Sequence, residues 1–115
     1  MAETLGSFEQ AVLLAIVRLK DDAYGRSILK EVETRLEREV TVGAVHATLE
    51  RLEAKGLISS RLGEGTAVRG GRAKRFFQLQ SEGVTALNDA RATVDNLWRG
   101  LHWPLPLDHK TGGVQ

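Results

Sequence analysis

Cysteine is absent from the 115 residues, so the chain has no disulfide framework and no thiolate chemistry, consistent with a reducing compartment. Charge of one sign is also lacking. Sixteen Lys and Arg stand against 15 Asp and Glu, a formal net charge of +1, so only the distribution of charge can speak for or against a nucleic-acid partner. Long apolar runs are missing too. Ala11 to Val17 is apolar, but Arg18 and Lys20 end it far short of a membrane span. The opening residues lack the basic segment and apolar run of a signal peptide, and a soluble cytoplasmic protein with no membrane partner is expected. No Ser-His-Asp grouping can be assembled. The glycines from Gly63 to Gly71 fit neither a dinucleotide fingerprint nor a P-loop, since no Lys-Ser/Thr and no helix follow them. His102 and His109 have no third ligand at metal spacing. No enzyme, no metal and no cofactor are therefore expected. There are no internal repeats. The length suits one small domain, near the size at which partners contribute to stability.

What is present is organised around Thr41 to Leu57. Val42, Val45, Leu49 and Leu52 recur at steps of three and four, an apolar stripe on a helix. Thr41 precedes them as an N-cap. Lys55-Gly56 ends the helix, with glycine in the left-handed position and Leu57 folding back toward Leu52. The other face carries Gly43, His46, Ala47, Thr48, Glu50 and Arg51. It is either an ordinary solvated face or, being small and polar, one that can enter a major groove. Ile58 to Leu62 then alternates apolar and polar residues, as a strand does, and Ala73 to Leu79 reads as a second strand. Between them lies a Gly-rich loop. The loop and its flanks hold Arg61, Arg69, Arg72, Lys74 and Arg75 against Glu64 as the only acid. Phosphate contacts need such cations on a backbone that can approach closely. Helix, strand, loop and strand in this order give a winged helix-turn-helix.

The remaining elements follow from the same periodicities. Ser7 with Gln10 suggests a capping box opening a first helix that runs to about Leu19. That helix is apolar almost all round, so it is either wholly covered by its own chain or shared with a second copy through Phe8, Val12, Leu13 and Ile16. Asp21-Asp22 is a turn whose Asp can cap a second helix, Tyr24 to about Arg38. Tyr24 heads the apolar stripe of that helix; its ring is core, or its hydroxyl reaches a phosphate. In the second strand Phe77 and Leu79 face the core, while Phe76 and Lys74 share the other side, for packing or base stacking. Ser81 caps a last helix from about Glu82 to Leu101, with Val84, Leu87, Val94, Leu97, Trp98 and Leu101 as its apolar positions. Its distal half projects from the winged body or folds back on the first helix. A projecting stripe of Val94, Leu97, Trp98 and Leu101 calls for a partner, most commonly a symmetric second copy. Pro104 and Pro106 bar a helix in the tail.

With these parts placed, the chain resembles the PadR family of bacterial transcriptional regulators. The resemblance is carried by LGSFEQAVLLAI at Leu5 to Ile16, DAYG at Asp22 to Gly25, VGAVHATLERLEAKGLI at Val42 to Ile58 and RGGRAKRFFQL at Arg69 to Leu79. It implies a mainly α fold with a small β-hairpin, a winged helix-turn-helix plus a C-terminal dimerisation helix. It also implies binding to palindromic operators and repression, often relieved by a small molecule. The last helix is short for the family, as in a compact member. Where the family motif has Tyr, this chain has His46, so the location of a DNA contact carries over but not its chemistry.

The expected organisation is a DNA-binding domain over 1–80, a dimerisation helix over 81–101 and a tail over 102–115. The expected partners are double-stranded DNA and a second copy of the chain. Gly43, His46, Ala47 and Thr48 would face bases or nearby backbone, with Tyr24 and Thr41 beside them. Arg51 and Lys55 would meet phosphates, and Arg69, Arg72 and Lys74 would place the wing. A competing expectation is a sensor in which Trp98 and Val94 line an apolar cavity for a small aromatic or apolar effector. A third is a protein-interaction module without a DNA role, which the clustered arginines of the wing argue against.

Overall fold

The computed structural model describes residues 4–63 and 73–108. Six elements follow in order: α1 (Ser7–Leu19), α2 (Gly25–Leu36), α3 (Val42–Ala54), β1 (Ile58–Leu62), β2 (Arg75–Leu79) and α4 (Ser81–Trp98), with a 3-10 turn at Lys20–Asp22 between the first two. The fold is the expected winged helix-turn-helix followed by a long helix.

The cap of α1 is Gly6 rather than Ser7. The Gly6 N–H donates to Glu9 Oε1 at 3.0 Å, so the acid one position before the expected Gln10 closes the turn. Before α2, the Ser27 hydroxyl donates to the Asp22 carbonyl at 2.6 Å and accepts from the Tyr24 N–H at 3.0 Å, so a serine inside the helix does what was expected of an aspartate side chain. α2 stops at Leu36, two residues early, because Glu37 turns left-handed at φ 56°. α3 matches its sequence signals closely. Thr41 Oγ1 accepts from the Ala44 N–H at 3.0 Å, and Gly56 at φ 79° ends the helix with the Leu57 N–H donating to the Leu52 carbonyl at 3.0 Å.

β1 and β2 pair antiparallel from Ile58 opposite Leu79 to Leu62 opposite Arg75. The hairpin is fastened to the start of α2, where Tyr24 bridges to Phe76 and the Phe77 N–H donates to the Ala23 carbonyl at 2.8 Å. Phe77 and Leu79 pack on the core as the alternation requires.

Val12 and Leu13 of α1, Ile28 and Val32 of α2, Leu52 of α3 and Ile58 of β1 are essentially fully buried and form the centre of the core. Each such side chain contributes roughly 1.5–3 kcal/mol on burial. This corrects one expectation. Val12, Leu13 and Ile16 lie inside their own chain and cannot be an interface, because α2, α3 and the hairpin cover that side of α1. Phe8 is half-buried against the same core. The side of α1 that does face outward carries Leu14 and Val17.

α4 is seated on the turn that follows α3. A Cβ on Gly83 would collide with the Leu57 carbonyl and come within 2.6 Å of Leu79 Cδ1, so only glycine permits this approach. Ala86 and Leu87 continue the contact, and beyond them the helix leaves the body. The radius of gyration is 17.7 Å and the long dimension 64 Å, against the roughly 13 Å radius usual for a compact chain of about 100 residues. α4 ends at Trp98, not at Leu101: Gly100 adopts φ 87°, and Leu101 lies past that break.

Candidate nucleic-acid interface

α3 presents its buried stripe through Val45, Thr48, Leu49 and Leu52 and leaves the opposite side open. Thr48, expected among the contacts, is 3% exposed and cannot reach a duplex. Val42, expected in the apolar stripe, is 70% exposed. Gly43, His46, Ala47 and Glu50 are all exposed, and nothing lies within 4 Å of where a Gly43 Cβ would be. His46 Nε2 and Glu50 Oε2 are 3.2 Å apart, one turn along the helix. The first turn, capped by Thr41, therefore offers a small, open surface with the positive end of the helix dipole behind it.

Arg51 and Lys55 flank this surface but are engaged elsewhere. Arg51 Nε is 3.7 Å and Lys55 Nζ 3.3 Å from Glu9 Oε2 on α1. Arg51 also donates to Thr48 Oγ1 at 3.4 Å. The Gly6 N–H, more than any other neighbour, holds the Glu9 carboxyl below its ordinary value; Lys55 and Arg51 add to this, against an opposing contribution from partial burial. Glu9 was not singled out from the sequence, where it read only as part of an N-terminal turn.

The base of the wing is a column of alternating rings and cations. Lys74 Nζ stands 4.1 Å from the centre of the Tyr24 ring, Tyr24 meets Phe76 edge-on at 5.6 Å, and the Arg61 guanidinium lies 5.2 Å from the centre of Phe76. Phe76 is thus engaged in packing, and Tyr24 is half-buried at the N-cap of α2 rather than in the core. Arg75 donates to Ser60 Oγ at 2.9 Å, and Ser60 donates to Glu53 Oε2 at 2.9 Å, which ties the hairpin to the end of α3. Arg69 and Arg72 lie outside the described residues.

On α4, Val94 is 44% and Leu97 72% exposed, with Leu101 59% exposed beyond the helix end; Trp98 is half-buried. Val94 and Leu97 border an open groove of about 880 Å³ shared with Leu5, Leu57 and Ala90, but Trp98 does not line it. Among the described residues no group of three or more acidic or histidine side chains is placed to hold a metal ion. No described helix is long and apolar enough to cross a membrane.

A three-helix body, a two-stranded wing and an exposed third helix define a winged-helix transcription regulator. The family model of PadR-like transcriptional regulators matches residues 13–89, and the chain belongs to that family. Its members are regulators of transcription, not enzymes, and DNA is their partner. Solved structures agree on the fold. RosR of Halobacterium salinarum superimposes with a TM-score of 0.67 at 22% identity, over 89% of this chain and 84% of that one. A PadR-like transcription factor of Bacteroides fragilis gives 0.66 at 22% identity, over 77% and 81%. A PadR family regulator of Clostridium difficile R20291 gives 0.58 at 27% identity, over 83% of this chain and all of that one. No curated protein matches the chain.

Proposed function

We propose that the chain is a homodimeric repressor that reads an inverted-repeat operator. The observation that carries this reading is the open first half of α3. Its N-terminus is capped by Thr41, its outward residues are small at Gly43 and Ala47, and no part of the described chain covers it. Two such helices related by a dyad enter successive major grooves about 34 Å apart. His46 stands at base level in this arrangement. Lys74, held over Tyr24, and the loop residues Arg69 and Arg72 take the flanking phosphates or the minor groove.

The second copy is expected along α4, through Val94, Leu97 and Leu101 with Trp98 beside them, and on α1 through Leu14 and Val17. These residues supply the uncovered apolar surface that a monomer of this size rarely keeps. A small aromatic or apolar effector is a second reading, favoured by the groove bordered by Val94 and Leu97. Such a ligand acts only if it binds the two arm geometries with different affinity.

Gly43→Glu tests the main reading. The site is open, and an acid in the first turn suits the helix dipole, so the fold is kept. Affinity for an operator duplex, followed by fluorescence anisotropy, falls more than about tenfold if a carboxylate there meets the DNA. Undiminished affinity contradicts the placement of α3.

A further inference from the structure

Gly43, Ala47, Glu50 and Ala54 point farthest from the core. At 100° per residue these four positions lie within about 40° of one line on α3. Three of them end at or before Cβ. No Lys or Arg occurs between Val42 and Glu50. Arg51, as far from that line as His46 on the other side, is drawn toward Glu9 Oε2 at 3.7 Å. The polar side chains left on the outward surface are His46 and Glu50, which are 72% and 71% exposed and lie 3.2 Å apart. Glu50 is nearer the centre line than His46.

A carboxylate at the centre of a DNA-facing surface needs a reason, because phosphates repel it. The reason available in a major groove is a hydrogen-bond donor. An ionised carboxylate only accepts. Guanine offers N7 and O6, both acceptors, and thymine offers O4 and a methyl group. Adenine offers the N6 amine beside the acceptor N7, which repels the second carboxylate oxygen. Cytosine offers an amine, N4, whose neighbour on its own ring is C5–H and not an acceptor. The small residues at Gly43 and Ala47 let the helix sink deep enough for the Glu50 side chain to reach that edge.

We propose that Glu50 is a specificity-determining residue that selects a C·G pair at one position of each half-site by accepting from cytosine N4. His46 is its positioning residue. Its Nε2 lies 3.2 Å from Oε2 one turn along the helix, which restricts the carboxylate on that side and leaves Oε1 for the base. This rests on the reading of α3 as the DNA-facing helix. It goes beyond that reading by naming the base and the residue that reads it.

The test is selection of bound duplexes from a random-sequence library by the full chain and by Glu50→Gln, Glu50→Ala and His46→Ala. Both positions are exposed, and equal melting temperatures establish that the variants fold. The wild type is expected to enrich an inverted repeat with cytosine favoured about tenfold at one position per half-site. Glu50→Gln, whose amide both donates and accepts, moves that position to adenine and leaves the others alone. Glu50→Ala erases the preference there, and His46→Ala weakens it. If the wild type enriches an inverted repeat but no position changes in the Glu50 variants, Glu50 does not read the base, while DNA recognition by the chain stands. If the wild type enriches nothing, the DNA-facing reading of α3 fails and this proposal fails with it.

Discussion

Glu9 shows what one residue does to both stability and site. Its carboxylate accepts from the Gly6 N–H and pairs with Lys55 and Arg51, so it closes the first turn of α1 and holds two cations on the flank of α3. The folded carboxyl titrates below its ordinary value of 4.5. The stabilisation is therefore complete above about pH 4.5 and is lost as pH falls through the lower folded value. Glu9→Gln should melt below the wild type at neutral pH, and the gap should close on acidification. A gap that is constant or widens in acid would contradict the pairing. At this scale the sequence was partly misleading. Helical spacing assigned Thr48 to the DNA side, where the structure buries it, and nothing local revealed that Lys55 has a partner 46 residues away on α1. Thr48 is the clearest loss: a polar residue adjoining the apolar stripe is 3% exposed in the folded chain. Lys74 is free to test at the wing. Lys74→Ala should weaken binding to all sequences alike and lower the salt slope by about 1, measured by titration at several salt concentrations; an unchanged slope would remove it from the phosphate contacts.

The elements themselves were legible where local signals were strong. Thr41 as cap, Gly56 as stop and the strand at Ile58–Leu62 all stand where the pattern put them, because each rests on chemistry within one turn of chain. Thr41→Ala should destabilise the fold by about 1 kcal/mol through the lost cap. The packing partners of α1 were not legible, since an all-round apolar helix is compatible with either a crowded core or an interface. The structure divides it, with Val12, Leu13 and Ile16 inward and Leu14 and Val17 outward. The seat of α4 was missed for a related reason. Gly83 looks like an ordinary glycine in a first turn, and only the proximity of the Leu57 carbonyl and Leu79 explains it. Gly83→Ala should destabilise by about 1–3 kcal/mol in denaturant unfolding, as overpacking does. A neutral effect would mean that α4 is not held against the turn after α3.

At the scale of the whole molecule the chain is a compact winged head with a projecting arm. The arm exposes Leu97 at 72% and leaves the stripe around it without cover from the described chain. Leu97→Glu should shift sedimentation to the monomer and weaken binding to a full inverted repeat much more than to a single half-site, because only the dimer engages both halves at once. The described head carries its cations at the base of the wing and on the flank of α3, not on the outward line of that helix, so the proposed reading puts affinity and base choice in different residues. The central claim is that these parts together make a sequence-specific regulator. It is tested most directly by titrating the purified chain onto the DNA upstream of its own gene, across a salt series, against an unrelated competitor duplex. The account predicts tight binding that survives the competitor, weakens steeply with salt, and protects two half-sites one helical turn, or a multiple of it, apart. Weak binding, equal on both duplexes and without a protected site, would contradict it.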